Sequence, residues 1–297
     1  MNIIGKRNWY FALSLLVIAP GIVALLLWGL KVGIDFKGGS LLELEFSKKT
    51  VIKTEQIKKL LNPLKIDDLQ VQSAGANKVI IKSATIDKDK ASEIKKVLLK
   101  IGTVKENRFE TIGPVVGREL ARKAIMAVIL ASIVIVLYIA YAFRKVPKPA
   151  SSWRFGVTAV IALLHDVLVV VGAFSILGHF RGLEVDSYFI TALLTVLGFS
   201  VHDTIVVFDR IRENLRRYIK MPFEQVVNES IVQTLSRSIN TSLTVIITLT
   251  SLYLLGGSST KPFILALLIG IISGTYSSIF NASPLLVVWQ NFATRKR

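Results

Sequence analysis

The sequence predicts an α-helical membrane bundle of six transmembrane helices with a small ferredoxin-like α+β domain between the first and second. Three observations predict it. Of the 297 residues 52% are hydrophobic, and mean hydropathy is +0.56. The apolar residues gather in blocks of about 20, the length that crosses a bilayer core as a helix. Residues 32–121 break this pattern, being polar, charged and of shorter period.

Lys6 and Arg7 precede an apolar run from about Tyr10 to Leu30. The run is too long for the apolar core of a signal peptide and lacks a small-residue cleavage site, so it reads as an uncleaved first span. Pro20 within it predicts a kink that neighbouring helices accommodate. Next, Leu42-Glu43-Leu44-Glu45-Phe46 partly alternates, as a strand with one wet face does. Gly38-Gly39 before it reads as a flexible or tight joint. Ile57, Leu60, Leu61 and Leu64 fall at helical spacing behind Thr54, a candidate N-cap. Leu69 to Gln72 and Lys78 to Lys82 read as strands joined by a hairpin-like Ala74-Gly75-Ala76-Asn77. Ile94, Val97, Leu98 and Ile101 mark a second helix, stopped by Gly102. A last strand covers about Val104 to Ile112. The order βαββαβ is that of the ferredoxin-like motif.

From Ala124 the chain is membrane again. Spans run from about Ala124 to Phe143, Phe155 to Leu177, Ser187 to Phe208, Ile239 to Leu255 and Pro262 to Trp289. The division is therefore 1–31, an N-terminus with the first helix; 32–121, the α+β domain; and 122–297, the other five helices. Gly270 and Gly274 on the sixth span have the small-xxx-small spacing that suits close helix contact.

The formal charge of +17 is concentrated at the membrane-flanking ends, where basic residues set topology and meet anionic lipid, and needs no nucleic acid to explain it. Arg144, Lys145, Lys148 and Arg154 flank the second-to-third link. Arg210, Arg212, Arg216, Arg217, Lys220 and Arg237 mark the fourth-to-fifth, and the tail ends Arg295-Lys296-Arg297. The third-to-fourth link balances Arg181 against Glu184 and Asp186, and the fifth-to-sixth carries only Lys261. Alternate short links are basic, which expects both termini in the cytoplasm and residues 32–121 outside it. The chain has no cysteine, which excludes disulfides and cysteine metal sites.

Ionisable groups at membrane depth are costly and face a bundle interior or a wet path. His165-Asp166 lies near the middle of the third span and His202-Asp203 in the cytoplasmic half of the fourth. Gln233, Arg237, Asn240, Thr241 and Ser242 form a polar entry to the fifth. Burial disfavours a charged carboxylate and a nearby guanidinium favours it. Asp203 and Arg237 together can therefore exchange a proton for a change in how two helices sit. The alternative from these residues alone is a buried ion pair that fixes helix register. For Asp166, with His165 beside it, helix-to-helix hydrogen bonding is the favoured role. Asp209 and Glu213 are expected to pair with neighbouring arginines at the surface. No phosphate-cradling glycine loop, HExxH or nucleophile triad context is present, so the sequence implies neither an enzyme nor a cofactor.

GIDFKGG (Gly33 to Gly39), WRFGVTAVIALLHDVL (Trp153 to Leu168), LLTVLGFSVHDTIVVFDRIREN (Leu193 to Asn214) and TLSRSINTS (Thr234 to Ser242) resemble the SecF family of protein-export membrane proteins. The likeness covers nearly the whole chain. It implies a fold of the resistance-nodulation-division type and a partnership with SecD, here a separate chain, beside the SecYEG translocon. It further implies use of the proton gradient in moving unfolded preproteins. The family's proton-handling aspartate and arginine match Asp203 and Arg237. His202 stands where family members often carry Asn, and adds either a second titratable group or, the favoured reading, a further hydrogen-bonding side chain. The competing readings are a half-size proton-driven exporter of lipids or small molecules and a non-conducting scaffold for SecD.

Overall fold

The computed structural model describes residues 1–47, 54–73, 77–144, 146–147 and 151–295. The chain divides into two compact units: residues 1–31, 126–256 and 260–297 form one, and residues 32–125 with 257–259 the other.

In the smaller unit, a short helix α2 (Ile34–Lys37) leads into β1 (Gly39–Phe46). Then come α3 (Thr54–Leu61), β2 (Gln70–Ser73), β3 (Lys78–Ser83), α4 (Lys88–Leu98) and β4 (Val104–Ile112). The order is the expected βαββαβ, and the four strands pair antiparallel as β2-β3-β1-β4. The alternation in β1 directs Leu42, Leu44 and Phe46 into a core with Ile57 and Leu61 of α3, Ile94 and Leu98 of α4, and Val79 and Ile81 of β3. Asp87 caps α4 by accepting from the Lys90 amide. The register of β1 on β4 shifts between Glu43 and Leu44, leaving Asn107 unmatched. Hydrogen bonds from Asn107 and Asn77 hold the Glu45 carboxyl below its ordinary range. Gly38 and Gly39 are a tight joint. Both have positive φ, and a Cβ on Gly39 would lie 2.6 Å from the Ser83 carbonyl oxygen. Three of the four residues expected to form the hairpin connection, 74–76, lie outside the described residues, as do 145, 148 and the last two of the basic tail.

The larger unit holds α1 (Arg7–Trp28), most of α5 (Pro114–Ala142), α6 (Ser152–Arg181), α7 (Ser187–Arg217), α8 (Phe223–Leu255), α9 (Lys261–Ser277) and α10 (Ser283–Arg295). One π turn over Ser278–Ala282 joins α9 to α10, so that six apolar spans result. Pro284 follows it and has no amide hydrogen to give the turn before, which is why the ladder widens there. α1 runs unbroken through Pro20.

Small residues set the closest approaches. A Cβ on Gly21 of α1 would lie 3.0 Å from the Gly172 Cα of α6. Gly270 and Gly274 of α9 face Val196 and Ser200 of α7, and a Cβ on Gly270 would come within 2.2 Å of Val196. The expected small-residue contact is therefore real, and α7 is its partner. Towards one end, Phe143, Phe155 and Phe208 meet ring to ring.

Several helices run past the expected limits of their spans: α5 starts at Pro114 rather than Ala124, and α6 covers Ser152–Arg181 rather than Phe155 to Leu177. α7 continues through Arg217 and α8 starts at Phe223, leaving residues 218–222 as the link. Arg210, Arg212, Arg216 and Arg217 thus lie on α7 and Arg237 inside α8, rather than in a loop. The extension holds because Ile211 and Leu215 of α7 and Val226, Val227 and Ile231 of α8 stay in the apolar core, and polar side chains join the two helices beside them. Asn214 donates to Ser230 Oγ and Gln233 Oε1, and Arg210 Nε donates to the same oxygen of Gln233. Arg212–Asp209 and Arg210–Glu213 form the expected pairs one turn apart.

Candidate functional site

The burial pattern of α7 decides which member of its His-Asp pair faces the protein. Phe189, Ala192, Leu193, Val196, Ser200, Asp203, Val207 and Ile211 share the buried stripe. His202, about 100° round the helix, is exposed. Asp203 is 7% exposed, and its Oδ2 has no hydrogen-bond partner among the described residues. Beside it stands Ser238 of α8, itself buried with a partnerless Oγ. A buried polar atom left unpaired costs about 1–3 kcal/mol, so two in one place mark a position kept for something other than stability.

Arg237 precedes Ser238 and so points away from Asp203. It is exposed, and among the described residues it makes no ion pair or hydrogen bond. The structure therefore sets Ser238, not Arg237, beside the Asp203 carboxyl. Arg237, Asn240, Thr244, Thr248 and Ser251 instead form an exposed polar stripe along α8, and Thr191, Thr195 and His202 a matching one along α7. The threonine and serine hydroxyls fold back onto carbonyls of their own helices. His202, Arg237 and Asn240 have no hydrogen bond or ion pair among the described residues. Gln233 joins Asn214 and Arg210 at the helix-to-helix seam.

Asp166 is fully buried and, unlike Asp203, saturated. Its Oδ2 accepts from Ser200 Oγ of α7 at 2.5 Å and Ser277 Oγ of α9 at 2.7 Å; Oδ1 accepts from Ser273 Oγ at 2.7 Å and meets His165 Nδ1 at 3.0 Å. Three hydroxyls on two neighbouring helices converge on this one carboxylate. Thr204 and Ser278 extend the polar seam, their hydroxyls 2.8 Å apart.

Sequence reasoning singled out both aspartates but not Ser200, Ser238, Ser273, Ser277 or Asn214. Isolated serines in apolar helices are common, and only the helix pairing shows which aim at a carboxylate. One signal was legible: Ser273 and Ser277 are four apart, hence on one face, and lie either side of Gly274.

Two family models match the chain: "Protein export membrane protein SecD/SecF, C-terminal" over residues 93–292 and "SecD/SecF GG Motif" over residues 29–50. A protein translocase subunit SecF of Thermobaculum terrenum is 50% identical, with 98% of this chain and 94% of the relative covered. One of Anaerolinea thermophila is 47% identical over the same shares. The crystal structure of SecDF from Thermus thermophilus, described as a translocon-associated membrane protein, superposes with a TM-score of 0.86 at 34% identity. That match covers 98% of this chain and 39% of the longer one.

Proposed function

Since the chain belongs to the SecF family of protein-export membrane proteins, we propose that it is a proton-motive-force-coupled accessory subunit of the Sec machinery. It acts with SecD beside the SecYEG translocon to complete the passage of unfolded preproteins. Asp203 is the group that takes and releases the proton, and Arg237, turned away from it in this structure, answers it when α7 and α8 move.

The observation that carries this reading is the unpaired carboxyl oxygen of Asp203 facing the unpaired hydroxyl of Ser238. A carboxyl group that gains a proton gains a donor, which the Ser238 oxygen can accept; once ionised, it accepts from the same hydroxyl. Each protonation state thus has a different use for the α7–α8 contact. The exposed stripe with His202, Arg237 and Asn240 supports a second polar bundle as cover, because lipid cannot satisfy these groups. SecD is that partner. On this reading both termini lie in the cytoplasm, residues 1–31 are the N-terminus and first transmembrane helix, 32–121 form the extracytoplasmic domain, and 122–297 hold the other five helices and the cytoplasmic C-terminus.

The test replaces Asp203 with Asn and measures export into inverted membrane vesicles across an imposed proton gradient. Loss of the gradient-dependent part, with assembly onto SecD retained, is expected. Full gradient-dependent export by the variant would overturn the proton role and leave a scaffold.

A further inference from the structure

Asp166 takes no part in the proton exchange assigned to Asp203, yet both its oxygens are bonded. The carboxyl is held from α7 by Ser200 Oγ at 2.5 Å, and from α9 by Ser273 Oγ and Ser277 Oγ, each at 2.7 Å. All four residues are buried. One turn further along α7, the Thr204 hydroxyl meets that of Ser278 in the π turn at 2.8 Å. Around these anchors the two helices touch through glycine. Gly270 lies against Val196, and a Cβ on Gly274 would lie 3.0 Å from the Ser200 Cβ.

We propose that Asp166 is a positioning residue for Asp203: by holding Ser200 it sets the rotation of α7 about its own axis, and that rotation turns the Asp203 carboxyl to Ser238 of α8. The proposal rests on the reading of Asp203 as the proton-bearing group. Asp203 follows Ser200 by three positions and so lies about 60° round α7 from it. Thr204 follows by four and lies about 40° to the other side. The helix is thus gripped on its face towards α6 and α9, and shows Asp203 to α8 beside that grip. Apolar burial has no direction, so contact with the glycines of α9 leaves α7 free to turn. A hydrogen bond weakens steeply away from its axis. The polar anchors therefore fix what the packing leaves open.

A carboxyl group suits this task because each of its oxygens accepts more than one hydrogen bond, so one side chain of α6 holds hydroxyls from two helices. An asparagine fits the same place. Its carbonyl oxygen accepts from Ser273 and His165, as Asp166 Oδ1 does. Its amide group donates to Ser200 and Ser277, whose hydroxyls rotate to accept. Leucine has a similar size and holds none of them. The two replacements therefore separate a positioning role, which asparagine fills, from a proton-bearing one, which it does not.

The test is oxidative cross-linking of Asp203→Cys/Ser238→Cys in the full chain, assembled with a cysteine-free SecD in membranes and with no gradient imposed. The chain has no other cysteine. Ser200→Ala is expected to lower the yield at least threefold. Ser273→Ala, which takes one hydroxyl from the same carboxyl but leaves α7 tied, keeps it within twofold. Asp166→Leu follows Ser200→Ala, and Asp166→Asn follows the parent pair. Gradient-dependent export, measured in the same four variants with Asp203 and Ser238 restored, is expected to fall and hold in the same order. Co-purification with SecD certifies the fold of each variant; should Asp166→Leu fail it, the two serine variants decide. Equal yields in Ser200→Ala and Ser273→Ala overturn the proposal, as does export lost as fully in Asp166→Asn as in Asp166→Leu. The cross-link needs no proton gradient, so its outcome is independent of the Asp203→Asn export test.

Discussion

At the scale of single residues, the two aspartates show how one side chain serves two ends. Asp166 receives four polar contacts and Asp203 is left with an empty oxygen, although both lie on apolar helices beside a histidine. The sequence marks both as costly and so as purposeful, but only the helix packing separates a saturated acid from a waiting one. The pairing of Asp203 with Arg237, inferred from type and neighbourhood, does not form within this chain because adjacent helical positions diverge and Ser238 takes the inner place. Arg237 still carries a charge with no partner among the described residues. Arg237→Ala is accordingly expected to reduce gradient-driven export at least tenfold, whereas Arg217→Ala, at the exposed end of α7, leaves it within twofold. A secretion assay in vesicles compares the two. Equal tolerance would remove Arg237 from the mechanism.

At the scale of elements, apolar length located the spans well and their ends badly. α8 was expected from Ile239, and it starts at Phe223. Hydropathy ends where lipid ends, but a helix continues as long as neighbouring side chains satisfy and brace it, here through Asn214, Ser230 and Gln233. The α+β unit was read almost residue by residue, since alternation in strands and spacing in short helices are local signals. The Gly270/Gly274 contact was legible as spacing, but its partner was not. Gly270→Ala drives a methyl group into Val196, and overpacking of that kind costs about 1–3 kcal/mol. A lowered thermal unfolding temperature in detergent is expected, with substantial recovery in Gly270→Ala/Val196→Ala. Failure of the second change to restore it would place the strain elsewhere.

At the scale of the whole molecule, the stripes along α7 and α8 bear on assembly. Lys and Arg at the membrane edges set orientation, but a row of Thr, Ser, Asn and Arg at membrane depth speaks of another protein surface. The chain contains no cysteine, so one introduced thiol is chemically unique. Thr244→Cys, in the middle of the stripe, is expected to cross-link to a membrane-spanning helix of SecD carrying a single cysteine. Ile239→Cys, exposed about 140° round α8 from Thr244, should not. Cross-linking at position 239 alone would turn the proposed interface around.

The π turn over Ser278–Ala282 has a consequence for how this span tolerates change. It amounts to one surplus residue wound into an otherwise regular helix. Deleting Ile279 would let the helix take its usual pitch with Leu286, Val287 and Gln290 still near their places against the bundle. A deletion in the regular turns of α10 has no such slack and would swing everything beyond it by about 100°. The π turn is thus where this span best absorbs the loss of a residue.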